Sequence, residues 1–269
     1  LRIAADWTAY FTAKSFECLM KSDAGFSFNL NADRSRYFAQ ITYPENWQDL
    51  PQQDKERIAR EISVKLGQYF AFTATTWHEL LTWFGYKCLG IFTEFPSAFS
   101  WEDSFSNLLG TYIAAKALRD TEHKFDEAMT LAINQELEKL GVQSRYTAII
   151  ASENARGEWF VGYPLYLVNM KRRNFDIGVD DGYVTPTIVP GVSGCARAQA
   201  QSYPVPNLDF LTEYQFCVKL EIEPREWEKD KILSIVYPDA NTRKGRLEPV
   251  AHFARIMNYI KEDAVTRYG

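Results

Sequence analysis

The chain has 269 residues, 46% of them apolar and 15% aromatic, with a formal charge of −5. That is ample material for one sizeable core and excludes a disordered chain. It also lacks the basic face of a nucleic-acid binder: Lys171, Arg172 and Arg173 form the one tight basic cluster, which reads as a solvated corner at a strand end.

In chain order, residues 3 to 21 carry Ile3, Trp7, Tyr10, Phe11 and Cys18 at helical spacing. "GFSFNLNADRSRYFAQITYP" then reads as two short strands around an Asn31-Ala32-Asp33 turn. Pro51 and Asp54 open a long helix that the pattern carries to about Tyr86, with a bend expected at Gly67. After a loop holding Gly90 and Pro96, Ser100 and Asp103 have capping-box spacing, and the helix they start runs to about Arg119. A further helix covers about 122 to 140, stopped by Gly141.

The pattern then changes. "YTAIIASENA", "EWFVGYPLYLVNM", "FCVKLEIEP" and "KILSIVYP" read as strands, and the chain ends in an amphipathic helix with Pro249 near its start. No βαβ alternation is present. The expected fold is α+β: a helical first half with an antiparallel helix pair, and a mixed second half with a small antiparallel sheet. No internal repeat or low-complexity linker divides residues 1–269, so a single domain is expected. The stretch from 178 to 210 is rich in Gly and Pro, and a loop of that length is often functional.

No run approaches the roughly 18 apolar residues of a membrane span, so no transmembrane segment is expected. The chain opens at Leu1 within an apolar-periodic segment, which reads as the continuation of an upstream segment where any targeting signal would lie. Cys18, Cys88, Cys195 and Cys217 are far apart and form no C-x-x-C pair, which argues against a structural zinc site. Cys18 and Cys88 read as buried thiols on helix faces; disulfides stay possible in an oxidising compartment.

Chemistry concentrates in "TTWHELLTWFGYKC", residues 75 to 88. His78-Glu79 is half of the H-E-x-x-H zinc-protease helix, but Thr82 stands where the second histidine would be. The His78 face of that helix is small and polar, with Ala71, Ala74, Thr75, Thr82 and Gly85. Glu102, Ser106, Gly110 and Ala114 give the next helix a matching face. The simplest packing joins the two, so that His78 meets Glu102 or Ser106, with Glu79, Asp103 and Asn107 on adjoining faces. In the metal reading, His78, Glu102 and Asp103 hold a divalent ion such as zinc, Glu79 is the general base, and Ser106, Asn107 and Thr82 complete a polar cluster. Neutral hydroxyls are poor zinc ligands, so a further ligand would come from His252, Asp6 or an upstream residue. In the architectural reading, the same residues are a polar bridge between helices, with acids on the positive end of a helix dipole.

Other candidates are weaker. "DIGVDDG" lacks EF-hand spacing and reads as an aspartate-solvated turn. "GVSGC" places Ser193 and Cys195 in a loop without a nucleophile-elbow context. His123 is expected to be exposed, and His252 is open between core, surface and site.

"ADWTAYFTAK", "TTWHELLTWFG", "FPSAFSWEDSFSNLLGTYIAAKAL", "GYVTPTIVPG", "YPVPNLDFL" and "KLEIEPREWEK" together resemble the bacterial domain-of-unknown-function family 4056 over nearly the whole chain. The resemblance implies a cell-envelope protein, often with a signal or lipoprotein-type start. It also implies a Gly-Gly-Phe-Ile-Asp stretch and a histidine upstream of Leu1, which this chain lacks. It draws attention to His78, Glu79, Trp83, Ser97, Phe99, Glu102, Asp103, Ser106, Asn107 and Gly110, and it brings no activity. The leading expectation is a metal-assisted hydrolase acting on an envelope peptide, glycan or lipid. The rivals are a non-catalytic envelope binding or scaffold protein with 178–210 as its contact surface, and a metal-free acid–base or Cys195 hydrolase.

Overall fold

In the computed structural model the first helical pattern becomes α1 (Arg2–Lys21), with Ala4, Ala5, Thr8, Phe11, Ser15, Cys18 and Leu19 buried along it. The structure describes residues 1–88, 92–163, 166–192, 195, 197–239, 241 and 243–268, without the side chains of 88, 92, 93, 163, 166 and 167. Strands β1 (Gly25–Asn29) and β2 (Arg36–Thr42) pair antiparallel around the expected turn. There Asp33 Oδ1 accepts the Ser35 N–H at 3.0 Å, the local bond that favours Asp in turns. On its other edge β2 pairs antiparallel with β9 (Cys217–Glu223), giving the order β1-β2-β9. Tyr37, Ala39 and Ile41 alternate with Val218, Leu220 and Ile222 on the buried face, the period of two a half-buried sheet requires.

Helix α2 (Gln52–Trp83) starts after Pro51, whose carbonyl accepts from Asp54 and Lys55, and it runs as one helix through Gly67. It stops three residues short of Tyr86. From Ile62 onward almost every residue is buried, as expected of a helix covered on all sides. Two-residue strands β3 (Lys87–Cys88) and β4 (Phe92–Thr93) follow, so Cys88 lies in a strand rather than on the expected helix face. Helices α3 (Asp103–Arg119) and α4 (Phe125–Lys139) come next, and Gly141 takes a left-handed φ of 68° past the end of α4. Ser100 and Asp103 do meet, but side chain to side chain at 2.6 Å; the start of α3 has no side-chain cap.

Helices α2 and α3 pack on each other, and α1, which the sequence did not place there, packs closely against both. A Cβ on Gly67 would lie 2.2 Å from Thr12 Oγ1, and one on Gly110 would lie 2.3 Å from the Leu1 carbonyl oxygen. Glycine is needed at both points because backbone or side chain of α1 occupies the space.

Two expected strands are helices. "YTAIIASENA" forms α5 (Arg145–Ala155), where Ser144 Oγ accepts the Thr147 N–H at 3.1 Å as an N-cap. Its β-rich composition misleads; Ala151 and Ala155, one turn apart, are its buried residues, while Tyr146, Ile149 and Ile150 are exposed. "KILSIVYP" supplies most of α6 (Lys229–Val236), with Ile232, Leu233 and Val236 on one face. "EWFVGYPLYLVNM", read as one strand, supplies two, β5 (Phe160–Tyr163) and β6 (Tyr166–Met170), which pair antiparallel. β7 (Tyr183–Val184) and β8 (Tyr203–Pro204) pair within the 178–210 segment, and α7 (Pro249–Tyr268) ends the chain. The architecture is α+β. Among the described residues, no helix is long and apolar enough to cross a membrane.

Candidate functional site

The last turns of α2 carry His78 and Glu79 outward from the core, and each finds a partner on the connection to α3. His78 Nε2 lies 3.2 Å from Glu94 Oε2, and its ring meets Tyr86 edge-on at 5.5 Å. Glu94 is brought there because the connection doubles back, its N–H bonding the Tyr86 carbonyl at 3.1 Å. This corrects the expectation that His78 bonds Glu102 or Ser106. His78 Nδ1 is buried without a hydrogen-bond partner among the described residues.

Glu79 Oε2 accepts the Phe99 N–H at 2.8 Å. Phe99 has a φ of 53°, a left-handed conformation that bulky residues rarely adopt. Its carbonyl accepts the Asn174 N–H at 2.9 Å, and its fully buried ring packs on Trp83 and Phe175. Arg173 braces the same turn by donating to the carbonyls of Phe95 and Ala98, with its guanidinium over the Trp83 and Phe95 rings. The expected solvated basic corner is therefore only partly that: Lys171 and Arg172 are exposed, Arg173 is half-buried and structural.

The electrostatics follow from burial. The Glu79 carboxyl is pushed up to about 7, first by burial and then by the nearby Asp103 charge; the Phe99 N–H and His78 oppose the shift. Asp103 is raised too, again by burial, against the Ser100 hydroxyl that bonds it. For His78, burial alone favours the neutral ring, but the Glu94 hydrogen bond and the charges of Glu79, Glu94 and Asp33 outweigh it, and its pKa is raised.

Of the other expected members, Glu102 precedes α3 and is exposed, its carboxyl raised by the protein around it and by Asp103. Ser106 Oγ donates to the Asp103 carbonyl at 3.2 Å. Asn107 is half-buried on the next face of α3. Thr82 is buried, its hydroxyl without a hydrogen-bond partner among the described residues. Glu79 and Asp103 are thus neighbours, whereas His78 is engaged by Glu94. Among the described residues no group of three or more His, Cys, Asp or Glu side chains is placed to hold a metal ion.

Sequence reasoning missed Glu94, the Phe99 backbone and Arg173. It also missed a buried acid network tied to the same end of α2. Asp33 accepts from Tyr37 Oη at 2.7 Å, and its carboxyl is pushed up to about 7 by burial, with Glu226 adding to the shift and the Tyr37 bond opposing it. Glu226, 2% exposed, accepts from the backbone N–H groups of Arg34 and Arg225 and from Ser35 Oγ. Ser35 Oγ in turn accepts from Trp77 Nε1 at 2.9 Å, so the residue before His78 is anchored to the sheet. No spacing rule announces this network, because Glu226 lies 191 residues from Ser35.

Described residues of the 178–210 segment wall two cavities. One of about 530 Å³ lies against α5, with Trp101, Phe105, Ile188, Val192 and Cys195 in its wall. None of the three histidines lines it, so Cys195 has no histidine at that wall. Ser193 lies outside the described residues. The other cavity, of about 590 Å³, lies between α2, β9 and α7. In "DIGVDDG", Asp176 and Asp181 accept the backbone N–H groups of Gly178, Thr185 and Tyr183, and Asp180 pairs with Lys261 at 2.8 Å, as a turn rather than a calcium loop. His123 is half-buried and bonds Asp120 at 2.9 Å, and His252 Nδ1 accepts the Glu248 N–H at 2.9 Å. Cys18, Cys195 and Cys217 are free thiols.

No curated protein and no solved structure matches the chain significantly. A family model does match residues 1–179, two thirds of the chain and the whole of the His78–Glu79 region, and the chain belongs to that family, described as protein of unknown function (DUF4056).

Proposed function

We propose that this is a non-catalytic binding protein of the bacterial cell envelope, in which the His78–Glu79 region is a structural latch and the cavities walled by the 178–210 segment take the ligand. The envelope setting is supported by the resemblance of its segments alone. The observation that carries the binding reading is where the two residues spend their polar atoms. His78 Nε2 is on Glu94 and Glu79 Oε2 is on the Phe99 N–H, so both fasten the turn that leads into α3. Described residues of the long Gly/Pro segment meanwhile line open, largely apolar pockets of the size small molecules occupy.

A second reading, an acid–base hydrolase, is favoured by one observation. Glu79 has its carboxyl near 7 with Asp103 beside it, the poise a general base or acid needs at neutral pH. A metal-assisted version would ligate through His78 Nδ1, the ring nitrogen that Glu94 does not engage, and would have to recruit Asp103 or Glu102. The test is to extract small molecules from the purified protein for mass spectrometry, and to assay ester, peptide and glycoside hydrolysis with and without added divalent metal. A co-purifying ligand and no turnover supports binding. Turnover that Glu79→Gln abolishes, in a variant that still folds, overturns it in favour of the hydrolase.

A further inference from the structure

We propose that the cavity between α2, the edge strand β9 and the start of α7 binds one uncharged amphipathic molecule, an acyl chain ending in an ester, amide or alcohol oxygen. This rests on the binding reading and names its ligand class.

The floor is apolar, formed by buried Phe72, Ile177, Leu220 and Phe253. Across it runs one stripe of hydroxyls, Tyr69, Thr73 and Thr76, at i, i+4 and i+7 on α2, each no more than 6% exposed. The Tyr69 hydroxyl is buried and, its neighbour Thr73 apart, has no hydrogen-bond partner among the described residues. Burial pushes its pKa up to about 12, so it is a proton donor at any physiological pH. A desolvated hydroxyl in an apolar wall is costly, and a turn of the Tyr69 side chain that brings it to an oxygen acceptor on the ligand would relieve that cost.

Charge separates the possible ligands. The charged residues of the lining, Asp209, Lys219 and Glu248, stand at the mouth; Asp209 and Lys219 are exposed, and Lys219 is already paired to Glu248 at 3.0 Å. No charged side chain stands on the floor. A carboxylate or ammonium carried to the hydroxyl stripe would leave water without a counter-ion, whereas a neutral oxygen would not. The apolar tail then covers Phe72, Leu220 and Phe253, and Phe253 passes the contact to Trp77, on which it stacks at 6.2 Å.

The test is calorimetric titration of the whole chain with monolauroyl glycerol, laurate and dodecylamine, each below its micellar concentration at pH 8. Monolauroyl glycerol is expected to bind at least about tenfold more tightly than either charged analogue. Tyr69→Phe, which removes only an oxygen lacking a full set of partners, is expected to weaken it about five- to tenfold. Ala254→Trp, at an exposed helix position on the mouth, is expected to abolish binding with unfolding temperature unchanged. Equal binding of the charged analogues, indifference to Tyr69→Phe, or binding that survives Ala254→Trp each overturns the proposal, as does no binding of any of the three. Its failure is distinguishable from failure of the binding reading. A co-purified ligand insensitive to Ala254→Trp leaves binding intact at another site, whereas Glu79-dependent turnover removes it.

Discussion

His78 and Glu94 meet across the doubled-back connection between α2 and α3, Nε2 to Oε2 at 3.2 Å, and so tie the end of the most buried helix to the turn that launches the next. Both side chains are mostly covered, at 24% and 29% exposed, so the pair is shielded from the screening that makes surface ion pairs weak. His78→Ala is expected to cost roughly 2 kcal/mol, since it leaves a half-buried carboxylate without its donor. Glu94→Gln, which keeps a hydrogen-bond acceptor, is expected to cost less. Chemical denaturation of the two variants checks the order; an equal or reversed order means the pair is not the latch described.

The pH dependence has a definite sign. His78 has a raised pKa, and Asp33 and Glu79 are each raised to about 7. Each therefore holds a proton more tightly in the folded chain than in the unfolded one. For such groups the stabilisation is complete below the unfolded pKa and is lost as pH rises through the folded value. The two acids lose theirs between about pH 4 and 7, and His78 above about 6.5. His252, lowered chiefly by burial, acts in the opposite direction, while Glu102 and Asp103, also raised, act with the three. Glu136 and Glu221, which their partners hold low, matter only in more acidic solution. The melting temperature is expected to be highest near pH 5 and to fall toward pH 8, and Asp33→Asn should flatten part of that fall. A melting temperature that climbs from pH 5 to 8 would contradict the assignment.

Glu79 separates charge from hydrogen bonding. Glu79→Gln keeps an acceptor for the Phe99 N–H and removes a buried negative charge next to Asp103. It is expected to be neutral or slightly stabilising at pH 8. Glu79→Ala leaves the N–H of a residue at φ 53° without its acceptor and is expected to cost roughly 2 kcal/mol. Thermal melts of both variants at pH 8 decide it: equal loss in both would mean that the carboxylate charge itself is needed.

How much of this was legible depends on the range of the interaction. Helices α1 to α4 and the β1–β2 hairpin could be read because apolar period, Pro51, Gly141 and the Asn31–Asp33 turn are local signals. The α5 segment misled because "TAIIA" is rich in residues that favour strands, while the deciding features, Ser144 as a cap and the alanines as a packing stripe, are quiet ones. His78, Glu79 and Asp103 sit on the two helix ends that face the same connection, but His78 bonds Glu94 and not the expected Glu102 or Ser106. Glu94 was invisible because nothing in its neighbours says that the 84–94 connection doubles back. Gly110, on the small face of α3, is a point of close approach as read, and Gly67, read as a bend, is another; sequence alone does not say that α1 is the helix that approaches.

That last point can be tested at Gly67. In an open helix, replacing Gly by Ala is stabilising by about 1 kcal/mol. Here the added Cβ would lie 2.2 Å from Thr12 Oγ1, 2.7 Å from the Thr8 carbonyl oxygen and 3.0 Å from the Thr12 nitrogen. A side-chain hydroxyl can rotate away, but two backbone atoms of α1 cannot, so the helices must separate. Gly67→Ala is expected to lose roughly 2–3 kcal/mol instead of gaining. Thr12→Ala removes the nearest atom and leaves the backbone contacts, so the double variant should recover only part of the loss, with a coupling of about 1 kcal/mol. A neutral or stabilising Gly67→Ala, measured by chemical denaturation, would mean that α1 does not seat against α2 at this point.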